Sequence, residues 1–407
     1  MQPEDSLRSR PAGAVTVAFC GATVGCGHGR AALAVRDAMR VRGQLAGSAF
    51  VDALEHADGW FARAYRDGYL LAVRHAAPAV GAIYDRTDVP RAGQGRVRAL
   101  LDRLQDRLLE RFRRLESIHG ADVIVSTHFL TSGILSRMRL EGSLAVPVAT
   151  VVTDSHPHAV WLHRGCDLTF VAGDAARESA IAGGLDPARV VATGIPVDPR
   201  FGLAAPVTAW RESAVGTRAS VLVTGGGFGI GDVGPTVEGL LTTLSGADVT
   251  VVCGRNQALE AAMRTLAARR GHLDRGNAFR VIGYTKVMHE LMAAADLLVG
   301  KPGGLTTAES CALGLPMVLL RPIPGQEERN ARLLVGGGAA VRASGPAEAA
   351  SAVRALVADP ARLGAMRRAS SALGRPRAAF DVASRVAAAC VRGAPGCAER
   401  LLGISAA

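Results

Sequence analysis

The stretch 295–310, ADLLVGKPGGLTTAES, decides the fold class of this 407-residue chain. A short apolar run, Leu297 to Val299, reaches Gly300 and Lys301, and the pair Gly303 and Gly304 then opens a helix-like run, TTAESCALG. A strand feeding a helix through a glycine turn is half of a parallel strand–helix–strand unit. The surrounding sequence repeats the design: SVLVTGGGFG (220–229), ADVTVVCGRN (247–256), FRVIGY (279–284) and LPMVLLRPIPG (315–325) are strand-like, with helix-like segments between them. The second half of the chain therefore reads as a parallel sheet with crossover helices, an α/β domain.

The first half has the same grammar. AVTVAFCGA (14–22) leads into a glycine-rich loop and a helix-like segment from about Arg30 to Arg42. DVIVST (122–127), VPVATVVTD (146–154) and LTFVAG (168–173) are further strand-like runs. Between them, RAGQGRVRALLDRLQDRLLERFRRLESI (91–118) places Leu100, Leu101, Leu104, Leu108 and Leu115 at helical spacing. This reads as a surface helix; a helix lying on acidic lipid is the sharper alternative. Asp102, Asp106 and Glu110 are expected to form helix-spaced pairs with its arginines. TGIPVDPRFGLAAP (193–206), dense in Pro and Gly, marks the boundary. The expected divisions are a tail at 1–13, a first domain at 14–200, a second at 201–385 and a tail helix at 386–407.

Length suits two domains of about 200 residues each. With aromatics at 4%, the cores must be built from Ala, Val and Leu. No apolar run reaches the roughly 18 residues needed to span a bilayer, and the polar start is unlike a secretory signal. A cytoplasmic protein is expected, with peripheral attachment to the inner membrane face as an accompanying option. None of Cys20, Cys26, Cys166, Cys253, Cys311, Cys390 and Cys397 forms a CxxC pair, so buried free thiols are expected rather than disulfides or zinc ligands. The net charge of +11 fits an anionic partner, but it comes from an Arg-rich composition, and no nucleic-acid partner is expected. The lysines, Lys286 and Lys301, both fall beside the opening motif.

In open parallel sheets, ligands bind beyond the carboxyl ends of the strands. Gly225, Gly226, Gly227 and Gly229 follow one strand there, and Gly303 and Gly304 follow another. Amides at a helix start bind phosphate oxygens, and Thr306 and Thr307 add hydroxyls. Two such loops in one domain point to a nucleotide, although neither the dehydrogenase fingerprint nor a GKS/GKT phosphate loop is present. Glu309, just beyond, is either a ribose-binding carboxylate or an acid stabilised by the helix dipole. PIPGQEERNA (322–331) offers the planar amides and carboxylates that recognise sugars, or is a solvated turn. His28, in GATVGCGHGRAA, has the chemistry of a general base for a hydroxyl, or is a loop histidine or cap. In DSHPHAVWLH (154–163), His156, His158 and His163 follow Asp154 with neither HExxH nor zinc-finger spacing, so an acceptor-lining or structural loop is expected rather than a metal site.

Taken together, these motifs resemble the monogalactosyldiacylglycerol synthase and processive diacylglycerol glucosyltransferase group. That group is related to the glycosyltransferase that completes the lipid-linked peptidoglycan precursor. The resemblance runs from about Val15 to about Val341 through GCGHGRAA, STHFLTSGILSR, TDSHPHAVWLH, TGIPVDPRF, VTGGGFGIG, CGRN, GYTKVMHELMAAADLLVGKPGGLTTAES and PIPGQEERNA. It implies a GT-B fold, two Rossmann-like domains facing across a cleft, and an inverting transfer from a UDP-hexose without metal or other cofactor. It implies that Gly303, Gly304, Leu305 and Thr306 cradle the diphosphate; in the direct displacement expected here, Lys301 helps the leaving group. Gly225, Gly226, Gly227 and Phe228 would close over the donor, and Arg255 belongs to the same donor side. Glu309 would hold the ribose, Ile282 and Tyr284 would meet the uracil, and Gln326, Glu327 and Asn330 would contact the hexose.

By the same resemblance His28 is the base or positions acceptor and phosphate, with Gly27, Thr127, His128, Asp154, His156 and His158 on the acceptor side. Two departures also fall on that side: Cys26 replaces a glycine of the usual GGGH, and Ser155 replaces an aromatic of TDxHPH. The expected activity is hexosyl transfer from a UDP-sugar to a hydroxyl acceptor, diacylglycerol or a related lipid, with peripheral binding to anionic membrane. The alternatives are a soluble tailoring glycosyltransferase acting on a small natural product, a UDP-sugar epimerase and a non-catalytic binder.

Overall fold

The computed structural model describes residues 13–23, 26–75, 77–88, 95–203, 218–269 and 276–390. Among these, two six-stranded parallel sheets form two α/β domains. The first sheet holds β1 (Val15–Gly21), β2 (Leu45–Asp52), β3 (Val123–Ser126), β4 (Val148–Val151), β5 (Leu168–Val171) and β6 (Val190–Ala192) in the order β2-β1-β3-β4-β5-β6. The second holds β7 (Ser220–Thr224), β8 (Asp248–Val252), β9 (Ala278–Ile282), β10 (Leu297–Gly300), β11 (Met317–Leu319) and β12 (Ala340–Arg342) in the order β12-β11-β10-β7-β8-β9. Inner strands such as β3, β5 and β10 are buried along their whole length, which is why they read as continuous apolar runs.

Each sheet has one switch point, where the chain reverses its direction of growth across the sheet. In the first it lies at β1, flanked by β2 and β3; in the second at β7, flanked by β8 and β10. Ligands of open parallel sheets bind at such points. Helix α1 (Cys26–Val41) leaves the first switch. Three further first-domain helices matter below: α2 (Ala77–Thr87), α3 (Gly95–Leu108) and α4 (Phe129–Leu140). From the second domain, α5 (Gly304–Ala312) and α6 (Gln326–Gly336) face them.

The division at 385 is corrected by the last helix, α7 (Ala378–Cys390), which crosses back to the first domain. Its Ala379, Val382, Ala383, Val386 and Ala387 share a core with Val17, Val35, Ala38 and Met39 of β1 and α1. Burying each of the two valines contributes about 1.5–3 kcal/mol, so the chain is stitched across both domains. The second domain therefore ends before Ala378, and residues 386–390 belong to this docked helix rather than to a tail. Residues 391–407, residues 1–12 and residues 204–217 of the expected boundary lie outside the described residues.

The helix expected over 91–118 is broken. Helix α3 ends at Leu108, and short turns follow at Glu110–Arg113 and Glu116–His119 because Leu109, Phe112 and Ile118 turn inward. Leu100, Leu101 and Leu104 remain exposed. Asp102 and Asp106 are also held from outside α3: Arg137 of α4 reaches them at 3.2 and 2.7 Å, and Arg113 holds Asp106. Glu110 does pair with Arg114 at helical spacing, at 2.7 Å. Cys20, Cys166, Cys253 and Cys311 are buried thiols outside any disulfide; Cys397 and the side chains of Cys26 and Cys390 lie outside the described residues. Among the described residues no helix is long and apolar enough to cross a membrane.

Candidate functional site

A cavity of about 650 Å³ lies between the two switch points. From the first domain it is lined by Gly27, His28, Arg30, Thr127 and Thr153, and from the second by the Gly225–Phe228 loop, Lys301, Gly303–Thr306 and Glu309. The two glycine motifs of the sequence thus meet across one space.

Helix α1 begins at Cys26, earlier than the segment from Arg30 that the sequence indicates, because the glycines of GCGHGR hide its first turn. His28 sits in that turn. Its Nδ1 lies 2.8 Å from the Thr127 carbonyl and 2.9 Å from Thr153 Oγ1. A carbonyl can only accept, so Nδ1 carries the proton and Nε2 keeps the lone pair. Burial lowers the imidazole to about 4, partly opposed by the bond to Thr127, so the ring is neutral at pH 7. His128 stands edge-on at 4.6 Å, but it is buried and off the cavity wall. Its Nδ1 accepts the Leu130 amide and caps α4.

On the second domain, Gly303 precedes α5 and Gly304 opens it, so the helix presents its first amides to the cavity. A Cβ on Gly304 would lie 2.3 Å from the Thr153 carbonyl, which is how closely the domains approach there. Glu309 lies further along α5 at 5% exposure, 3.4 Å from Arg30 of α1. Burial raises its carboxyl to about 7 and Arg30 pulls the other way. Its Oε1 has no hydrogen-bond partner.

The Gly225–Gly229 loop is pinned at its base. Gly229 has φ 57°, and a Cβ there would lie 2.2 Å from the Cys253 carbonyl. Arg255 donates its amide to the Gly227 carbonyl at 3.0 Å, and its guanidinium covers the ring of Tyr284 at 5.3 Å. Phe228 and Tyr284 are exposed at the cavity rim. Ile282, at the end of β9, packs its side chain toward the second-domain core and its carbonyl takes the Cys253 amide, while Tyr284, Thr285 and Met288 line the adjoining cavity wall.

The loop PIPGQEERNA divides its duties. Glu327 faces the cavity, accepts the Ile323 amide at 2.7 Å and pairs with Lys301 at 3.5 Å. Burial raises its carboxyl and Lys301 lowers it. Gln326 also lines the cavity, but its amide donates to Asp154. Asn330 does not reach the cavity. It is fully buried, donates to the Pro302 carbonyl at 2.8 Å and accepts from the Ser155 hydroxyl. Ser155 therefore belongs to a domain contact, and its departure from the family aromatic bears on that contact rather than on the acceptor.

Asp154, His156 and His158 likewise lie off the cavity wall. Asp154 accepts from Trp161 Nε1 at 2.8 Å as well as from Gln326, and burial raises it to about 7. His156 approaches Asp88 at 3.4 Å, and His158 Nε2 donates to the Tyr84 carbonyl at 2.7 Å. These groups form a belt between the domains, completed by Arg329, which pairs with Asp88 at 2.5 Å and covers Tyr84 at 5.1 Å. Sequence reasoning missed Arg30, Thr153 and the Tyr84–Asp88 segment; Arg30, two positions after His28 in GCGHGRAA, and Thr153, which opens TDSHPHAVWLH, stood inside motifs that could have flagged them.

Residues 28–197 match the family model described as monogalactosyldiacylglycerol (MGDG) synthase, and residues 220–379 match that of the glycosyltransferase family 28 C-terminal domain. A processive diacylglycerol beta-glucosyltransferase of Bacillus subtilis (strain 168) is 31% identical over 253 residues. That alignment covers 61% of this chain and 64% of the relative, so the chain spans slightly less than two thirds of that relative's length. Among solved structures, MurG of Acinetobacter baumannii superposes with a TM-score of 0.59 at 17% identity, covering 91% of this chain and 99% of that one. The UDP-GlcNAc 2-epimerase of Neisseria meningitidis, solved with UDP-GlcNAc, gives 0.52 at 11% identity, covering 91% and 98%. These two likenesses establish the fold, GT-B, and nothing beyond it.

Proposed function

The chain belongs to the monogalactosyldiacylglycerol synthase and family 28 glycosyltransferases, and on that premise we propose that it moves a hexose from a UDP-sugar to the hydroxyl of diacylglycerol or a related lipid. The observation that carries the reading is the pairing of His28 with the α5 amides across one cavity. In the proposed step the acceptor O–H bond breaks, its proton passes to His28 Nε2, and the oxygen bonds the anomeric carbon. The bond from that carbon to the β-phosphate oxygen breaks, and its electron pair leaves with UDP. Attack opposite the leaving group inverts the anomeric centre.

The Thr127 carbonyl holds Nδ1–H, so the ring presents its lone pair to the cavity and the imidazolium that forms is stabilised. A ring at about 4 is a weak base alone; the negative diphosphate nearby raises it when donor is bound. Amides at the start of α5, with Lys301, receive the charge on the departing phosphate. In this reading no metal ion takes part. Glu309 takes the ribose, Tyr284 and Met288 flank the base, and Gln326 with Glu327 contacts the hexose.

Exposed Leu100, Leu101 and Leu104 on α3 support peripheral contact with lipid. The experiment that tests the chemistry is product analysis. An α-linked UDP-hexose should give a β-linked glycolipid by its anomeric proton coupling. An α-linked product would contradict the single displacement, and conversion of the UDP-sugar without acceptor would favour epimerisation.

A further inference from the structure

Arg30 lies on α1 two positions after His28, on the wall of the same cavity. Its guanidinium reaches out of the first domain to Glu309 of the second, at 3.4 Å. The carboxylate is 5% exposed, its Oε1 has no hydrogen bond, and the cation facing it is itself 35% exposed at the side chain. A buried carboxylate met at ion-pair range without hydrogen bonds is incompletely satisfied. Two neighbouring hydroxyls donating to its oxygens would complete it better than a half-solvated guanidinium does.

The cavity's other cations are already engaged. Lys301 faces Glu327 at 3.5 Å, and Arg255 lies over Tyr284 at the rim. A diphosphate at the start of α5 therefore meets a site whose lysine is largely neutralised by its own carboxylate. Gly304 and Glu309 are on the same helix, about 7.5 Å apart along its axis at 1.5 Å per residue, within the sweep of one arginine side chain. Arginine also offers the planar fork that matches phosphate oxygens.

We propose that Arg30 is a diphosphate ligand held in reserve by Glu309, released to the leaving phosphate when ribose hydroxyls take the carboxylate. This rests on the UDP-sugar reading above and adds a residue to it. Because Arg30 belongs to the first domain and the diphosphate to the second, the exchange couples nucleotide occupancy to domain contact.

The test compares UDP with uridine on the full chain, wild type against Arg30→Met and Arg30→Lys. UDP binding is measured by calorimetry and uridine by ligand-observed NMR. Arg30→Met should weaken UDP by about 10-fold or more, the loss expected for a charge-assisted phosphate contact. Uridine should bind as tightly or tighter, since Glu309 has lost its competitor. Arg30→Lys should recover part of the UDP affinity. Equal weakening of both ligands would make Arg30 a structural tie between domains, and unchanged UDP affinity would remove it from the phosphate; either overturns the proposal. If Arg30→Met does not fold, the same UDP-to-uridine comparison in Arg30→Lys decides, because losing the planar fork must still weaken UDP selectively. Wild-type protein that binds neither ligand would overturn the donor reading itself, a failure distinct from the other two.

Discussion

The side-chain amide of Gln326, at the start of α6, donates a hydrogen bond to the carboxylate of Asp154, in the loop after β4 of the opposite domain. A residue on the wall of the donor cavity is thereby oriented by one outside it. Trp161 holds the same carboxylate, so Asp154 relays the packing of the first domain to the proposed hexose contact.

Asp154 makes this contact sensitive to pH. Burial raises its folded-state value to about 7 from an ordinary 3.8, so between those values the folded chain keeps a proton that the unfolded chain has lost. Its contribution to stability is therefore fully present at low pH and is lost as pH rises through about 7. Asp154→Asn removes the titration and keeps an oxygen acceptor for one of its two donors, Gln326 and Trp161. The stability of the variant relative to wild type should rise by about 1–3 kcal/mol between pH 4 and pH 8, as read by denaturant unfolding. A difference independent of pH would contradict the assignment.

Glu309 titrates in the same range and with the same sign, but its consequence is for binding. Ribose hydroxyls donate best to the ionised carboxylate, so the KM for the UDP-sugar should rise as pH falls through about 7, with kcat changing less. Glu309→Gln should raise KM by about 10-fold or more at pH 8 and flatten that dependence. Initial rates across pH 6 to 8 would measure both.

Two adjacent glycines should behave oppositely. A methyl on Gly304 would lie 2.3 Å from the Thr153 carbonyl, whereas one on Gly303 meets nothing within 4 Å. Gly304→Ala should force the domains apart and cut turnover by about 100-fold, since misplacement by an ångström carries such a cost. Gly303→Ala should melt like wild type and act on nucleotide affinity alone. Thermal unfolding and turnover of the two variants separate these effects.

Asn330 is buried between Pro302 and Ser155. Asn330→Ala should lower stability by about 1–3 kcal/mol by leaving those partners unmet, yet leave the preference between UDP-glucose and UDP-galactose unchanged. A changed preference would return Asn330 to the hexose.

The sheet strands with branched apolar residues, and the glycine turns after β7 and β10, were legible because buried parallel strands and phosphate-ready helix starts leave local signals. Strand β2, LAGSAFVD, was not legible: it is a half-exposed edge strand whose apolar pattern is interrupted by Gly47 and Ser48. The return of α7 to the first domain was hidden because an Ala- and Val-rich face does not say which core it enters. Gln326, Glu327 and Glu309 could be placed at the cavity from motif and spacing. The diversion of Asn330, Asp154, His156 and His158 into the belt could not, since it depends on contacts such as Arg329 to Asp88, 241 positions away in the chain.

The central claim is tested most directly by donor turnover. Purified protein is given UDP-glucose, UDP-galactose or UDP-N-acetylglucosamine, with and without diacylglycerol in anionic liposomes, and UDP release is followed for wild type and His28→Ala. The account predicts release that requires the lipid, a glycolipid product from one donor, and loss of transfer in His28→Ala with UDP binding retained. UDP release indifferent to lipid, or near-normal turnover in His28→Ala, would contradict it.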